Sequence, residues 1–190
     1  MIDNCVIVTS LPRTGTTSIC AMMETLGYRR YHAPLRNIFK LAKHGIAFAD
    51  TPAFAYSVIE YFKNQNEINC KFVYVDRDFD SWFDSMTKST NLLRTYHRFN
   101  NTPDDALKND GERDDKRYYH EVFGDFDFNN KGIVRKHIEK CFYDHRDRVK
   151  DLGLVYKFSD GWPALCEFLG VNIPDRDIPH LHKQSIGSRK

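Results

Sequence analysis

Residues 5–19 read Cys5-Val6-Ile7-Val8-Thr9-Ser10-Leu11-Pro12-Arg13-Thr14-Gly15-Thr16-Thr17-Ser18-Ile19, and no other stretch constrains the fold as much. An apolar, β-branched run stops at a Pro-Arg-Thr-Gly turn, and helix-like spacing begins at once. Strand, tight loop and helix in that order aim unpaired backbone N–H groups and the positive end of a helix dipole at one point. Such a point binds phosphate or sulfate. Arg13 adds a charged fork, and Thr14, Thr16, Thr17 and Ser18 add hydroxyl donors. The plainer reading is a strand–turn–helix joint with a Thr/Ser cap.

The nucleotide-kinase form of such a loop needs Gly, four residues, Gly, Lys and then Ser or Thr. Here Thr16 follows Gly15, and no glycine stands five places earlier, so that match fails. Around this loop the strands and helices alternate. Expected strands are one that begins at Cys5 and stops at the Pro12 turn, Tyr28–His32, Lys71–Asp76 and Gly153–Phe158. Expected helices are Thr16–Leu26, one opened by Pro34 and running to Lys43, and one with Phe54, Val58, Ile59 and Phe62 inward. Three more are expected over Asp80–Arg94, over Lys131–Val149, and from the Ser159–Pro163 start signals to Leu169-Gly170. This alternation predicts a three-layer α/β sandwich around a mostly parallel sheet, in one domain spanning residues 1–190. Between Asn100 and Phe128 the periodicity breaks among mixed charges, which reads as a solvated insertion or lid at about 98–128.

Composition excludes several classes. The net charge of +2 argues against a nucleic-acid partner, whose binding demands a strong positive field. Five widely spaced cysteines with no Cys-x-x-Cys argue against a disulfide framework or zinc site and for a reducing compartment. With no signal-peptide pattern and no apolar run of bilayer length, the chain reads as soluble, cytoplasmic and without a membrane partner.

Pro12-Arg13-Thr14-Gly15-Thr16-Thr17-Ser18 resembles the 5′-phosphosulfate loop of the sulfotransferases, whose common form is Pro-Lys-Ser-Gly-Thr-Thr and one compact branch of which carries Arg-Thr-Gly-Thr. A second block agrees. The strand 71–76 leads into Arg77, and Ser85 follows eight places later, the spacing with which that family binds the 3′-phosphate of 3′-phosphoadenosine 5′-phosphosulfate (PAPS). Arg77 also stands at a strand's carboxyl end, where open α/β sheets bind ligands. Phe79 replaces the family's usual proline. Read without the family, Arg77 would be one member of an Asp76–Arg77–Asp78 ion-pair cluster and Ser85 a helix-surface residue. The third block, Gly161-Trp162 through Leu165-Cys166-Glu167-Phe168-Leu169-Gly170-Val171 to Pro179-His180, is similar to the family's closing strand–helix segment.

The resemblance implies a P-loop nucleoside-triphosphate-hydrolase-like sulfotransferase fold and transfer of a sulfuryl group from PAPS, as co-substrate and without a metal, to a hydroxyl or amine. It implies that residues 12–18 hold the phosphosulfate, and that Arg77 and Ser85 hold the 3′-phosphate. Arg13 stands where the family usually has lysine; a guanidinium stabilises charge but donates no proton at neutral pH. Asp50, in an Asp-x-Pro loop, is the first candidate for general base and His32 the second. The plainer roles are a helix N-cap for Asp50 and a structural imidazole for His32. The terminal Ser188-Arg189-Lys190 is faintly similar to a basic segment that grips the 3′-phosphate in larger members. The acceptor is expected to be a small molecule or carbohydrate. Two competing readings are a Mg-ATP-dependent P-loop kinase or hydrolase, with Asp76 on the metal, and a catalytically inactive nucleotide-binding relative.

Overall fold

A computed structural model describes residues 2–32, 38–88, 98, 102–107, 110–125 and 131–179. Strand β1 (Cys5–Val8) is buried at every position and takes the centre of a five-stranded sheet. The others are β2 (Arg29–His32), β3 (Ile46–Ala49), β4 (Cys70–Val75) and β5 (Leu154–Tyr156), in the order β2-β3-β1-β4-β5. All four pairings are parallel, so the expectation of a mostly parallel sheet sharpens to a wholly parallel one.

Seven α-helices among the described residues cover the two faces: α1 (Thr16–Thr25), α2 (Ile38–Leu41), α3 (Tyr56–Lys63), α4 (Phe79–Lys88), α5 (Asp110–Phe123), α6 (Lys131–Val149) and α7 (Gly161–Leu169). Strand periodicity sorts the core. Val6, Val8, Ala47, Ala49, Val73 and Val75 pack with Ile19, Met22 and Met23 of α1 and with Trp162, Leu165 and Leu169 of α7. The alternate residues Cys5, Ile7, Phe48, Phe72 and Tyr74 pack with α2 to α6, through residues such as Phe62, Trp82, Tyr119 and Phe142. The central strands β1 and β3 and the second half of β4 are therefore covered on both faces, as strands inside a parallel sheet are.

Three elements differ from the sequence expectation. Strand β3 is not among the expected strands, because Ile46-Ala47-Phe48-Ala49 is short, half alanine and lacks alternation. It is continuous apolar sequence because both of its faces are covered. Of the expected helix from Pro34 to Lys43, Ile38–Leu41 is helical and Ala42 and Lys43 are not, while residues 34–37 lie outside the described ones. Between 100 and 128, the part Asp110–Phe123 is helix, with Tyr118, Tyr119, Val122 and Phe123 buried in the core rather than solvated. Helix α3 begins at Tyr56, after Phe54, and α4 is described to Lys88, with its expected continuation to Arg94 outside the described residues.

The topology places a crevice. From β1 the chain passes to the β2–β3 side, whereas β4 leads to β5 on the other, so the loops leaving β1 and β4 part in opposite directions. In open parallel sheets that divergence at the carboxyl ends is where ligands bind.

One close approach holds β5 to β4. A Cβ on Gly153 would collide with the main-chain carbonyl oxygen of Phe72, whereas at Gly170, which ends α7 with φ 72°, no atom lies within 4 Å of that position. Gly153→Ala is expected to destabilise the fold by about 2 kcal/mol through overpacking, and Gly170→Ala by about 1 kcal/mol through backbone strain. Urea unfolding of the two variants checks the ranking.

Candidate functional site

The loop leaving β1 is built around two left-handed residues. Gly15 has φ 108° and immediately precedes α1, and Arg13 has φ 73°, a conformation that costs a non-glycine residue about 1–2 kcal/mol. Neighbouring groups hold it there. The Thr14 hydroxyl donates to the Leu11 carbonyl (2.8 Å), closing the turn from within. The Trp82 indole N–H donates to the Pro12 carbonyl (2.8 Å), and the Arg77 guanidinium donates to the Arg13 carbonyl. The Ser10 hydroxyl accepts the Val75 N–H, fastening the loop's first residues to β4. Both residues that pin the loop's outer carbonyls thus come from the β4–α4 segment.

That arrangement brings two expected site blocks together. Arg13 Nε donates to Ser85 Oγ at 3.2 Å, while Arg77 reaches the main chain of Arg13. Arg13, Arg77 and Ser85 therefore occupy one crevice, at the N-terminal end of α1, where the dipole adds positive potential beside Thr16, Thr17 and Ser18. The Arg77 guanidinium is half-buried, and its pKa is lowered first by burial and then by the positive charge of Arg13, against a smaller opposing effect of Asp78.

The acidic residues flanking Arg77 are engaged elsewhere. Asp76 lies between Arg146 Nε and Lys157 Nζ, each at 3.7 Å. Asp78 accepts the Ser81 N–H (2.9 Å) in the first turn of α4, and this bond is the main reason its carboxyl titrates low. The Asp76–Arg77–Asp78 cluster is thus not what organises Arg77, and Asp76, set between two cations, gives no support to a metal-ligand role.

Two supporting side chains were not anticipated. The Phe158 ring covers Gly15 so closely that a Cβ there would stand 2.5 Å from its Cε2 atom. His145 of α6 is fully buried and its Nε2 donates to the Thr9 carbonyl (2.7 Å), at the start of the loop. Among the described residues its Nδ1 has no hydrogen-bond partner, and burial, as the largest cause, pushes the imidazole down to about 4. The sequence does carry a signal for His145. It sits three residues after Phe142 and four before Val149, on the apolar stripe of α6, where an imidazole has to find a partner across the core.

The second candidate cluster lies at the ends of β3 and β2. Asp50 leaves β3 with φ 70°, ahead of a cis Thr51–Pro52 bond. Its carboxylate accepts the Thr51 N–H (3.0 Å), and its carbonyl accepts the Ala53 N–H (2.6 Å). Helix α3 is capped at Ala55, so Asp50 is not its N-cap. Tyr119, from the stretch read as solvated, is buried against this turn. Its phenol is bonded to Thr51, and burial first, then the Asp50 carboxylate, raises its pKa. His32 ends β2 in register with Ala49, one strand further from β1; its side chain is outside the described ones. Both candidate bases therefore stand on the carboxyl edge of the sheet, across β1 from Arg77. Residues 180–190, with His180, His182 and the basic tail, also lie outside the described residues.

His145 makes the loop sensitive to acid. A histidine held below its unfolded value of about 6.5 is neutral in the fold and charged in the unfolded chain between pH 6.5 and about 4, so its contribution is full above 6.5 and is lost as pH falls. The loss is expected to be on the order of 2–3 kcal/mol by pH 4. Urea titrations between pH 7 and 4 should show it, and His145→Gln should remove that part of the slope. An unchanged slope would exclude His145 as its source.

Comparison with curated proteins finds no match. The family model described as Sulfotransferase domain matches residues 5–40 and 35–186, which covers most of the chain and includes the β1 loop, the β4–α4 crevice and the closing strand–helix segment. On that match, and with a parallel α/β fold in agreement, the chain belongs to the sulfotransferase domain family.

Proposed function

We propose that this protein transfers a sulfuryl group from PAPS to a hydroxyl or amine of a small-molecule or carbohydrate acceptor. The observation that carries the reading is the Arg13–Ser85–Arg77 constellation. Two sequence blocks separated by β2, β3 and α3 meet in one crevice, and two arginines stand side by side at a helix N-terminus. Such a site is matched to a ligand carrying more than one anionic group.

Sulfuryl transfer resembles phosphoryl transfer in passing a loose trigonal group in line between two oxygens, so positioning and charge stabilisation dominate. The loop 12–18 would hold the phosphosulfate, and Arg13 would stabilise the negative charge that builds on the departing phosphate. Arg77 and Ser85 would take the 3′-phosphate. Because Arg13 now bonds Ser85, binding requires its side chain to leave that hydroxyl and turn to the 5′ end. Asp50 is the first choice to accept the acceptor's proton and His32 the second; both lie across β1, where an acceptor would face the 5′ end. No step needs a metal.

The test is formation of sulfated product and adenosine 3′,5′-bisphosphate from PAPS over a panel of phenols, amines and sugars, without divalent cations. Arg13→Ala is expected to lower kcat by about 10²–10³-fold, whereas Arg13→Lys should retain most activity. Asp50→Asn should lower kcat by about 10²-fold or more and abolish the acidic limb of the pH–rate profile. Nucleotide binding without transfer to any acceptor would favour the inactive relative, and a requirement for Mg-ATP would favour the kinase.

A further inference from the structure

At the end of the sheet away from the crevice, the first residues of the two central strands are both cysteines. Cys5 opens β1 and Cys70 opens β4, and the parallel register pairs them directly. Residues paired in this way point to the same face. Both thiols lie on the α2–α6 side, Cys5 within the core and Cys70 half-buried against it. The Cys5 N–H donates to the Asn69 carbonyl (2.8 Å), which holds the two strand ends together. Neighbouring strands run about 4.8 Å apart, inside the range of about 4.4–6.8 Å between the Cα atoms of a disulfide.

The two thiols are not equivalent. Cys70 is partly accessible, and the neighbouring Cys5 thiol favours its thiolate. Cys5 is fully buried, and its neighbour Cys70, followed by burial, keeps it protonated. Cys20, Cys141 and Cys166 are buried, and burial raises each of them. One thiol is thus open to solvent as a nucleophile with a second paired behind it across the strands, the arrangement of a reactive and a resolving cysteine.

We propose that Cys5 and Cys70 are a peroxide-oxidisable dithiol that closes to a disulfide between the two central strands. The Cys70 thiolate attacks one oxygen of a hydroperoxide; the O–O bond breaks, the other oxygen leaves and is protonated to water, and Cys70 becomes a sulfenic acid. The Cys5 sulfur then attacks the Cys70 sulfur. The S–O bond breaks, and the hydroxyl departs with the Cys5 proton as a second water. Two thiols lose two electrons, and one hydrogen peroxide is reduced to two waters. A dithiol reductant reverses the change. Residues 64–69, a largely exposed turn ahead of Cys70, absorb the small approach of the strands. The bridge would staple the strands whose far ends lead to Arg13 and Arg77 without touching the crevice.

The experiment is treatment of the full chain with one equivalent of hydrogen peroxide, alkylation under denaturing conditions, and peptide mapping without reductant. The expected result is a linked peptide pair containing Cys5 and Cys70, lighter by two hydrogens, with Cys20, Cys141 and Cys166 alkylated and the link lost on adding dithiothreitol. With Cys5→Ala, Cys70 should instead be trapped as a sulfenic acid by a 1,3-dione probe. Cys70→Ser should leave Cys5 unoxidised. Accumulation of unlinked sulfenic or sulfinic acid at Cys70 in the unaltered protein, or a link between other cysteines, would overturn the proposal, and neither result depends on a variant folding.

Discussion

Two guanidinium groups side by side at the positive end of a helix are the arrangement on which the rest of this structure turns. Half-burying Arg77 next to Arg13 is electrostatically unfavourable, as the lowered pKa of Arg77 records. The scaffold that holds it there is extensive: a strained Arg13 backbone, the Trp82 indole on the Pro12 carbonyl, Ser85 on Arg13, and Asp76 drawn away to Arg146 and Lys157. Strain and like-charge repulsion kept at a sheet's carboxyl edge support the proposed polyanion site.

The supports come from both sheet faces. Phe158, which follows β5, covers Gly15, and His145 reaches through the α6 side to the Thr9 carbonyl. The loop backbone is thus braced from both sides, while the Arg13 side chain rests on Ser85, the contact it would exchange for a ligand under the proposed function. The cysteine pair sits at the opposite ends of the same two strands, so chemistry there meets the crevice only through the rigidity of β1 and β4.

The parts of this molecule that were legible from sequence are those in which local pattern and tertiary demand coincide. The β1 loop shows its turn residues and its helix start together, and the spacing of Arg77 and Ser85 survives because both belong to one strand–helix unit. Strand β3 was hidden because a strand covered on both faces needs no alternation, and Ala47 and Ala49 carry no β signal. Helix α5 was hidden behind its charged face: Asp110, Glu112, Arg113 and Lys116 dominate the composition, while Tyr118, Tyr119, Val122 and Phe123, gathered in its last turns, do the burying. The turn at Asp50 was placed correctly as a loop but not as a strand end, since its meaning depends on β3. The roles of Trp82 and His145 are tertiary, each an apolar-stripe residue whose polar atom finds a loop carbonyl across the core.

The most direct test of the arginine pair is calorimetric titration with adenosine 3′,5′-bisphosphate and with adenosine 5′-monophosphate in metal-free buffer, for the unaltered protein and for Arg77→Ala. The account predicts that the unaltered protein binds the bisphosphate at least tenfold more tightly, about 1.4 kcal/mol, and that Arg77→Ala loses that preference while still binding the monophosphate. Equal affinity for the two nucleotides, or a preference that survives without Arg77, would contradict it.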